Sequence, residues 1–281
     1  MSLSTYQEIF QYAKEHKITV GGFNSFNMES LQAITQAAGE KNVPMIVQTY
    51  HAHMNYAGAD YMAAIGKVAS KHHQVKIALG LDHGQSFDQA KTAIDCGYSG
   101  VMIDLSGDDY DRNLFETKRV VELAHSRNVS VEAEIGIIFD ADRPVELIAT
   151  GYTDPDLARR FAAESGVDCL AVSVGTAHGV YAHEPKINFE LLEELVQTVC
   201  CPIAVHGGSG TPDEDVLRMV KIGIGKLNIG TDLFIAYKNA LDNALKEKGL
   251  GAPVEEIMAP AREAIRKCAA EKIDLLAHYR V

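Results

Sequence analysis

The chain has little with which to hold a polyanion or cross a membrane. Its 26 lysines and arginines are outnumbered by 38 aspartates and glutamates, giving a formal net charge of −12. That balance argues against nonspecific contact with nucleic acid or an anionic membrane surface, while leaving room for a local phosphate pocket. The 11 tyrosines show no interleaving of the nucleic-acid-binding kind. No apolar run is long enough to span a bilayer, and the N-terminus turns polar within a few residues, so neither a membrane helix nor a signal peptide is expected. Only five cysteines are present, Cys96, Cys169, Cys200, Cys201 and Cys268, with no Cys-x-x-Cys spacing and no even disulfide framework. They are expected to be reduced, mostly buried thiols in a cytoplasmic protein. No Pro/Ser-rich linker or low-complexity stretch divides the chain, so a single domain over residues 1–281 is expected.

What is present is a repeat of strand and helix, in a chain whose 47% hydrophobic content is ample for a core. Short apolar runs read as strands at Ile18–Phe23, Pro44–Thr49, Val75–Leu81, Gly100–Asp104, Val129–Glu134, Cys169–Val174, Pro202–Val205 and Lys226–Ile229. Between them lie stretches with helical apolar spacing, such as Met28–Gly39, Phe87–Cys96, Leu114–Ser126 and Asp156–Ser165. Eight such units predict an α/β fold, a (β/α)8 TIM barrel, with additional C-terminal helices beyond Leu233. A doubly wound open sheet is the alternative. The barrel is preferred because polar residues recur at the carboxyl end of nearly every strand, as a ring of sites requires.

Three of those ends are alike. Leu81-Asp82-His83-Gly84, Thr176-Ala177-His178-Gly179 and Val205-His206-Gly207-Gly208 each follow an apolar strand and place a histidine before glycine. The carboxyl ends of parallel strands are where such folds bind ligands. Any one histidine could simply cap a strand. Three at equivalent ends point to a shared metal site of three imidazoles, which suits a catalytic zinc with an open fourth position.

Asp82 is the candidate acid/base, with a helix cap or a carboxylate supporting a histidine as the bland alternatives. Asp104 ends the fourth strand, and Glu132 and Glu134 share one face of the fifth. Buried carboxylates need a metal, hydrogen-bond donors or a Lys/Arg partner, and all three remain open here. Gly207-Gly208-Ser209-Gly210 and Asn228-Ile229-Gly230-Thr231-Asp232 follow strands seven and eight, the habitual phosphate grip of barrels. His51 and His53 could line the pocket. His72-His73 reads as a solvated helix end. Lys221 and Lys226 could pair with phosphate, or Lys226 could form an imine.

Taken together, these segments resemble the class II, zinc-dependent ketose-bisphosphate aldolases, which include the fructose- and tagatose-bisphosphate enzymes. The likeness also runs through Gly21-Gly22-Phe23-Asn24, Val101-Met102-Ile103-Asp104, Val131-Glu132-Ala133-Glu134-Ile135-Gly136 and Lys226-Leu227-Asn228-Ile229-Gly230-Thr231, in family order. It implies a carbon–carbon lyase that splits a phosphorylated ketose into dihydroxyacetone phosphate and an aldehyde through an enediolate. It implies Zn2+ on His83, His178 and His206, with Asp104 and Glu134 near the metal and Asp82 as proton shuttle at the C4 hydroxyl. The substrate-binding set implied is Asn24, Gly179, Gly207, Gly208, Ser209, Asn228, Gly230, Thr231 and Arg280. A monovalent cation, Na+ or K+, would sit close by. A homodimer or homotetramer is implied as well.

Three departures stand out. The family's Gly-Gly loop after strand five is replaced by Ile137-Ile138-Phe139-Asp140-Ala141-Asp142-Arg143-Pro144, with Asp142 at the position of the loop's catalytic acid. The serine after strand two gives way to Thr49-Tyr50-His51-Ala52, and Gly230 stands where some members have an acid. These changes sit at the pocket rim and point toward an atypical phosphorylated sugar. Binding without turnover, or an isomerase or epimerase using the same enediolate, are the competing functions.

Overall fold

In the computed structural model, which describes residues 3–277, eight parallel strands close into a barrel in sequence order. They are β1 (Val20–Asn24), β2 (Met45–Tyr50), β3 (Ile77–Gly84), β4 (Gly100–Ile103), β5 (Ser130–Ile135), β6 (Cys169–Val172), β7 (Ile203–Val205) and β8 (Lys226–Ile229). Helix α1 (Tyr6–His16) precedes β1, and α2 (Met28–Lys41) follows it. Then come α3 (His51–Ala57), α4 (Ala59–His72), α5 (Phe87–Cys96), α6 (Tyr110–His125), α7 (Val145–Ala149) and α8 (Pro155–Ser165). The chain continues through α9 (Phe189–Thr198), α10 (Asp213–Ile222), α11 (Thr231–Lys248) and α12 (Val254–Leu276). The expected (β/α)8 TIM barrel with C-terminal helices is what forms.

Strand alternation separates two apolar layers. Val101, Ile103, Val131, Ala133, Ile135, Leu227 and Ile229 point outward and pack beneath the helices. Each such fully buried valine, leucine or isoleucine contributes roughly 1.5–3 kcal/mol. Ile46, Ala78, Met102, Cys169, Ala171 and Ala204 point inward and meet Tyr6, Ile9, Phe10 and Ala13 of α1, which plugs the amino end of the barrel. Toward the carboxyl end polar residues enter the interior, Glu134 and Asn228 among them, with Glu132 and Lys226 one layer below.

Helix starts follow local chemistry. Asp109 caps α6 by accepting from the Arg112 N–H, so that helix begins at Tyr110 and not at Leu114. Asp154 caps α8 with Pro155 at its first position. β3 departs most from expectation. It runs on past Leu81 through Gly84, so Asp82 and His83 lie within the strand.

Candidate metal centre and active-site cavity

Opposite β4, the register of β3 runs Gly80↔Gly100, Leu81↔Val101 and then Gly84↔Ile103, so β3 carries one residue more than its partner. This is a β-bulge. His83 absorbs it with a φ of 48°, in the left-handed region that side chains rarely adopt. Gly84 must follow, because a Cβ there would stand 2.4 Å from the Met102 carbonyl oxygen. As a result two consecutive residues, Asp82 and His83, both face one cavity.

His83, His178 and His206 converge there. Their ring centroids lie 4.8 Å (His83–His178), 4.7 Å (His83–His206) and 5.7 Å (His178–His206) apart. His206 Nδ1 is 2.9 Å from His83 Nε2. The outward nitrogens are tied down: His83 Nδ1 meets Asp104 Oδ2 at 2.6 Å, and His206 Nε2 meets Glu132 Oε1 at 2.9 Å. Anchoring one ring nitrogen on a carboxylate orients the other for a metal. His178 Nε2 is buried with no hydrogen-bond partner, as is Glu134 Oε2. Ligand atoms of His83, His178 and His206 lie within 4.8 Å of one another, and so do those of His83, Asp104 and Glu134. Orphaned buried donors beside an excess of carboxylate are what a divalent cation relieves, so the residues fit one.

The electrostatics show the same crowding. Burial works against a charge on His83, yet Asp82, Asp104 and Glu134 push it up to about 10. Burial, then the charges of His83 and His206, push His178 down to about 3. Burial first and Asp104 second push Glu134 up to about 8. Burial would raise Asp82, but His83, His206, Lys226 and a hydrogen bond from Asn24 hold it below the usual carboxylate range. The Asp82 carboxylate is 5% exposed and accepts from Asn24 Nδ2 at 2.7 Å and Asn228 Nδ2 at 3.2 Å.

The cavity has a volume of about 470 Å³. Gly179, Gly207, Ser209, Gly230 and Thr231 line one side of it. Ser209 Oγ accepts from the Gly230 N–H (3.2 Å) and the Asp232 N–H (3.0 Å), tying the loop after β7 to the start of α11. Gly230 offers no side chain to cap α11, and Ser209 takes only the Asp232 N–H of its first turn, leaving a helix N-terminus suited to an anion. Gly208 lies behind this wall, its N–H donating to the Asn228 carbonyl at 2.9 Å.

Most of the expected residues are thus brought together; besides Gly208, two are not. Asp142 does not line the cavity. Its side chain is 79% exposed and sits beside Arg143. The reason is local: Asp140 pairs with His178 as an isolated bridge, and Ala141 is buried against Ile148 and Ala177. That turns Asp140 to the cavity and Asp142 to solvent. Arg280 lies outside the described residues. Lys226 is also unlike the imine candidate, being 1% exposed and bonded to Glu132 beneath the site. The cavity gains residues the sequence reading passed over. Ser106 Oγ donates to Asp104 Oδ1 at 2.8 Å, and Gln85 and Phe234 complete the wall beside Tyr50 and Ile138 of the expected rim. Ser106 comes just after β4, so its strand-end position was the available signal. Tyr181 joins two loops by accepting from the Ala177 N–H and donating to the Gly207 carbonyl, and nothing in its local sequence marks it.

Among the described residues no helix is long and apolar enough to cross a membrane. Comparison with known proteins agrees with this geometry. Fructose-bisphosphate aldolase of Staphylococcus aureus is 35% identical over 277 residues, covering 97% of this chain and 96% of its own. The enzyme of that name from Geobacillus stearothermophilus is 36% identical over 270 residues, covering 95% and 94%. Among solved structures, the YdjI aldolase of Escherichia coli K12 superposes with a TM-score of 0.85 at 30% identity, over 98% of this chain and 97% of the other. A family model described as fructose-bisphosphate aldolase class-II matches residues 4–279, and the chain belongs to that family.

Proposed function

We propose that this chain, acting as a single domain, reversibly cleaves a ketose phosphorylated at C1, of the kind fructose and tagatose 1,6-bisphosphate exemplify. The products are dihydroxyacetone phosphate and an aldehyde. The observation that carries the reading is the convergence of three imidazoles on a buried carboxylate held by two amides.

His83, His178 and His206 would hold Zn2+, with Asp104 and Glu134 beside it, and the ion would supply Lewis-acid polarisation of the ketose carbonyl. Asp82 takes the proton of the C4 hydroxyl as the C3–C4 bond breaks and returns it in the reverse direction. Asn24 and Asn228 aim that carboxylate. Gly179, Gly207, Ser209, Gly230 and Thr231, with the N-terminus of α11, hold the C1 phosphate, Gly208 lets the loop pack close behind them, and a monovalent cation sits alongside. The segment after β5 supplies the acid for the three-carbon fragment, and there Asp140 is the carboxylate that faces the cavity. Arg280 and Asp142 belong to this assignment as the far-phosphate ligand and the second loop acid. The protein works in the cytoplasm as a homo-oligomer.

The test is release of triose phosphate from a panel of C1-phosphorylated ketoses, before and after chelation and zinc add-back. Chelator-sensitive release restored by zinc supports the reading. A second reading, metal and sugar-phosphate binding without turnover, draws on the exposure of Asp142. Bound zinc and tight ligand binding with no release across the panel would favour it.

A further inference from the structure

The phosphate loops follow β6, β7 and β8. In a barrel closed in sequence order, β2 and β3 stand across from β6 and β7. The sugar carbons beyond the cleaved bond must therefore run toward the wall that follows β2. That wall is built from Tyr50, His51 and His53. The Tyr50 and His51 rings meet at a tilt, 4.1 Å between centroids, and His53 packs edge-on against Phe234 at 5.2 Å and lies 5.9 Å from Phe26. His51 Nε2 and His53 Nδ1 are buried and have no hydrogen-bond partner. No lysine or arginine of the described residues lines the cavity, whereas Asp82, Asp104, Glu134 and Asp140 do.

A phosphate dianion brought to this wall loses water and meets no lysine or arginine of the described residues, and four carboxylates share its cavity, so this inference gives up the far-phosphate role assigned above to Arg280. A neutral hydroxylated carbon carries no such charge, and the Tyr50, His51 and His53 side chains that line the wall can hydrogen-bond it. We propose that Tyr50, His51 and His53 are specificity-determining residues that select a ketose carrying a single phosphate, at C1, with an uncharged polyhydroxy end. The aldehyde product is then an unphosphorylated hydroxyaldehyde. This inference rests on the aldolase reading above and narrows its substrate class. Burial is the main cause that lowers both His51 and His53 below the usual imidazole range, in keeping with neutral rings that hydrogen-bond hydroxyls.

The zinc-loaded full chain tests this with paired substrates: fructose 1-phosphate against fructose 1,6-bisphosphate, and the tagatose pair likewise. Dihydroxyacetone phosphate release should give a kcat/KM at least about tenfold higher for a monophosphate than for its bisphosphate. Calorimetry on the Asp82→Asn chain should give Kd values in the same order without turnover. His51→Arg should move the ratio toward the bisphosphate by about tenfold, because a guanidinium pairs with phosphate. A ratio does not depend on the amount of folded protein. Equal or better use of the bisphosphates overturns the inference and leaves the aldolase reading standing. Cleavage of neither class by zinc-loaded protein overturns both.

Discussion

Lys226 Nζ lies 2.5 Å from Glu132 Oε2, and the other oxygen of that carboxylate meets His206 Nε2 at 2.9 Å. Lys226 and Glu132 are 1% and 0% exposed. Among the described residues, no other lysine or arginine is buried. Room for it comes from Gly22, where a Cβ would stand 2.6 Å from Lys226 Cε. Removing one partner of such a pair strands the other charge, whereas removing both need not. Lys226→Met is therefore expected to destabilise the fold by about 3–5 kcal/mol. The double variant with Glu132→Gln should recover most of that. Urea unfolding measures both, and a single variant as stable as the parent would contradict the pairing.

His83→Ala and His206→Ala are expected to abolish stoichiometric zinc and turnover together. Asp104→Asn removes the carboxylate that anchors the His83 ring, so it should weaken zinc by about 10–100-fold while leaving a functional site at high zinc. Metal content after dialysis against graded chelator reads this directly. Full retention of zinc in His83→Ala would remove the basis of the metal assignment.

Asp82→Asn keeps the shape of the carboxylate and one of its two acceptor oxygens for Asn24 or Asn228, but cannot take a proton. Turnover should fall by about 10²–10⁴-fold with zinc content unchanged. Loss of zinc in parallel would mean that Asp82 serves the metal and not the sugar.

On the segment after β5, Asp140→Asn is expected to reduce exchange of the dihydroxyacetone phosphate C3 proton with solvent by at least about tenfold, and Asp142→Asn to leave it close to the parent. The reverse order would show that the segment rearranges over bound sugar to bring Asp142 inward.

The barrel was legible because its signals are periodic and repeated. Apolar runs of strand length alternate with helical spacing eight times, and tertiary packing does not overturn so consistent a pattern. Helix starts were less so: α6 begins four residues before its apolar stripe because Asp109, a cap, outweighs periodicity at the end of a helix. The three histidines were legible from their shared strand-end position. Glu132 and Glu134 were visible as a same-face pair, but spacing along one strand cannot say that Lys226 from β8 meets the first and that the second is left with an unpartnered oxygen. Asp142 shows the same limit in a loop. Likeness placed the acid there, while the bridge between Asp140 and His178, residues far apart in sequence, decides which carboxylate turns inward.

The bulge at His83 makes β3 a ruler. Asp82 and His83 are joined by a single peptide bond, so the gap between proton acceptor and metal ligand is set by covalent geometry and not by how two elements happen to pack. Drift of a helix, swelling of the barrel or docking of another subunit moves the pair as one. The histidines of β6 and β7 can tolerate some wander, since a metal gathers its ligands, but the base travels with the first of them. Deleting one residue there would restore plain alternation and turn one of the two toward the helix layer. Chemistry on this scaffold can therefore diversify along the rim, residue by residue, while the reacting pair stays in step.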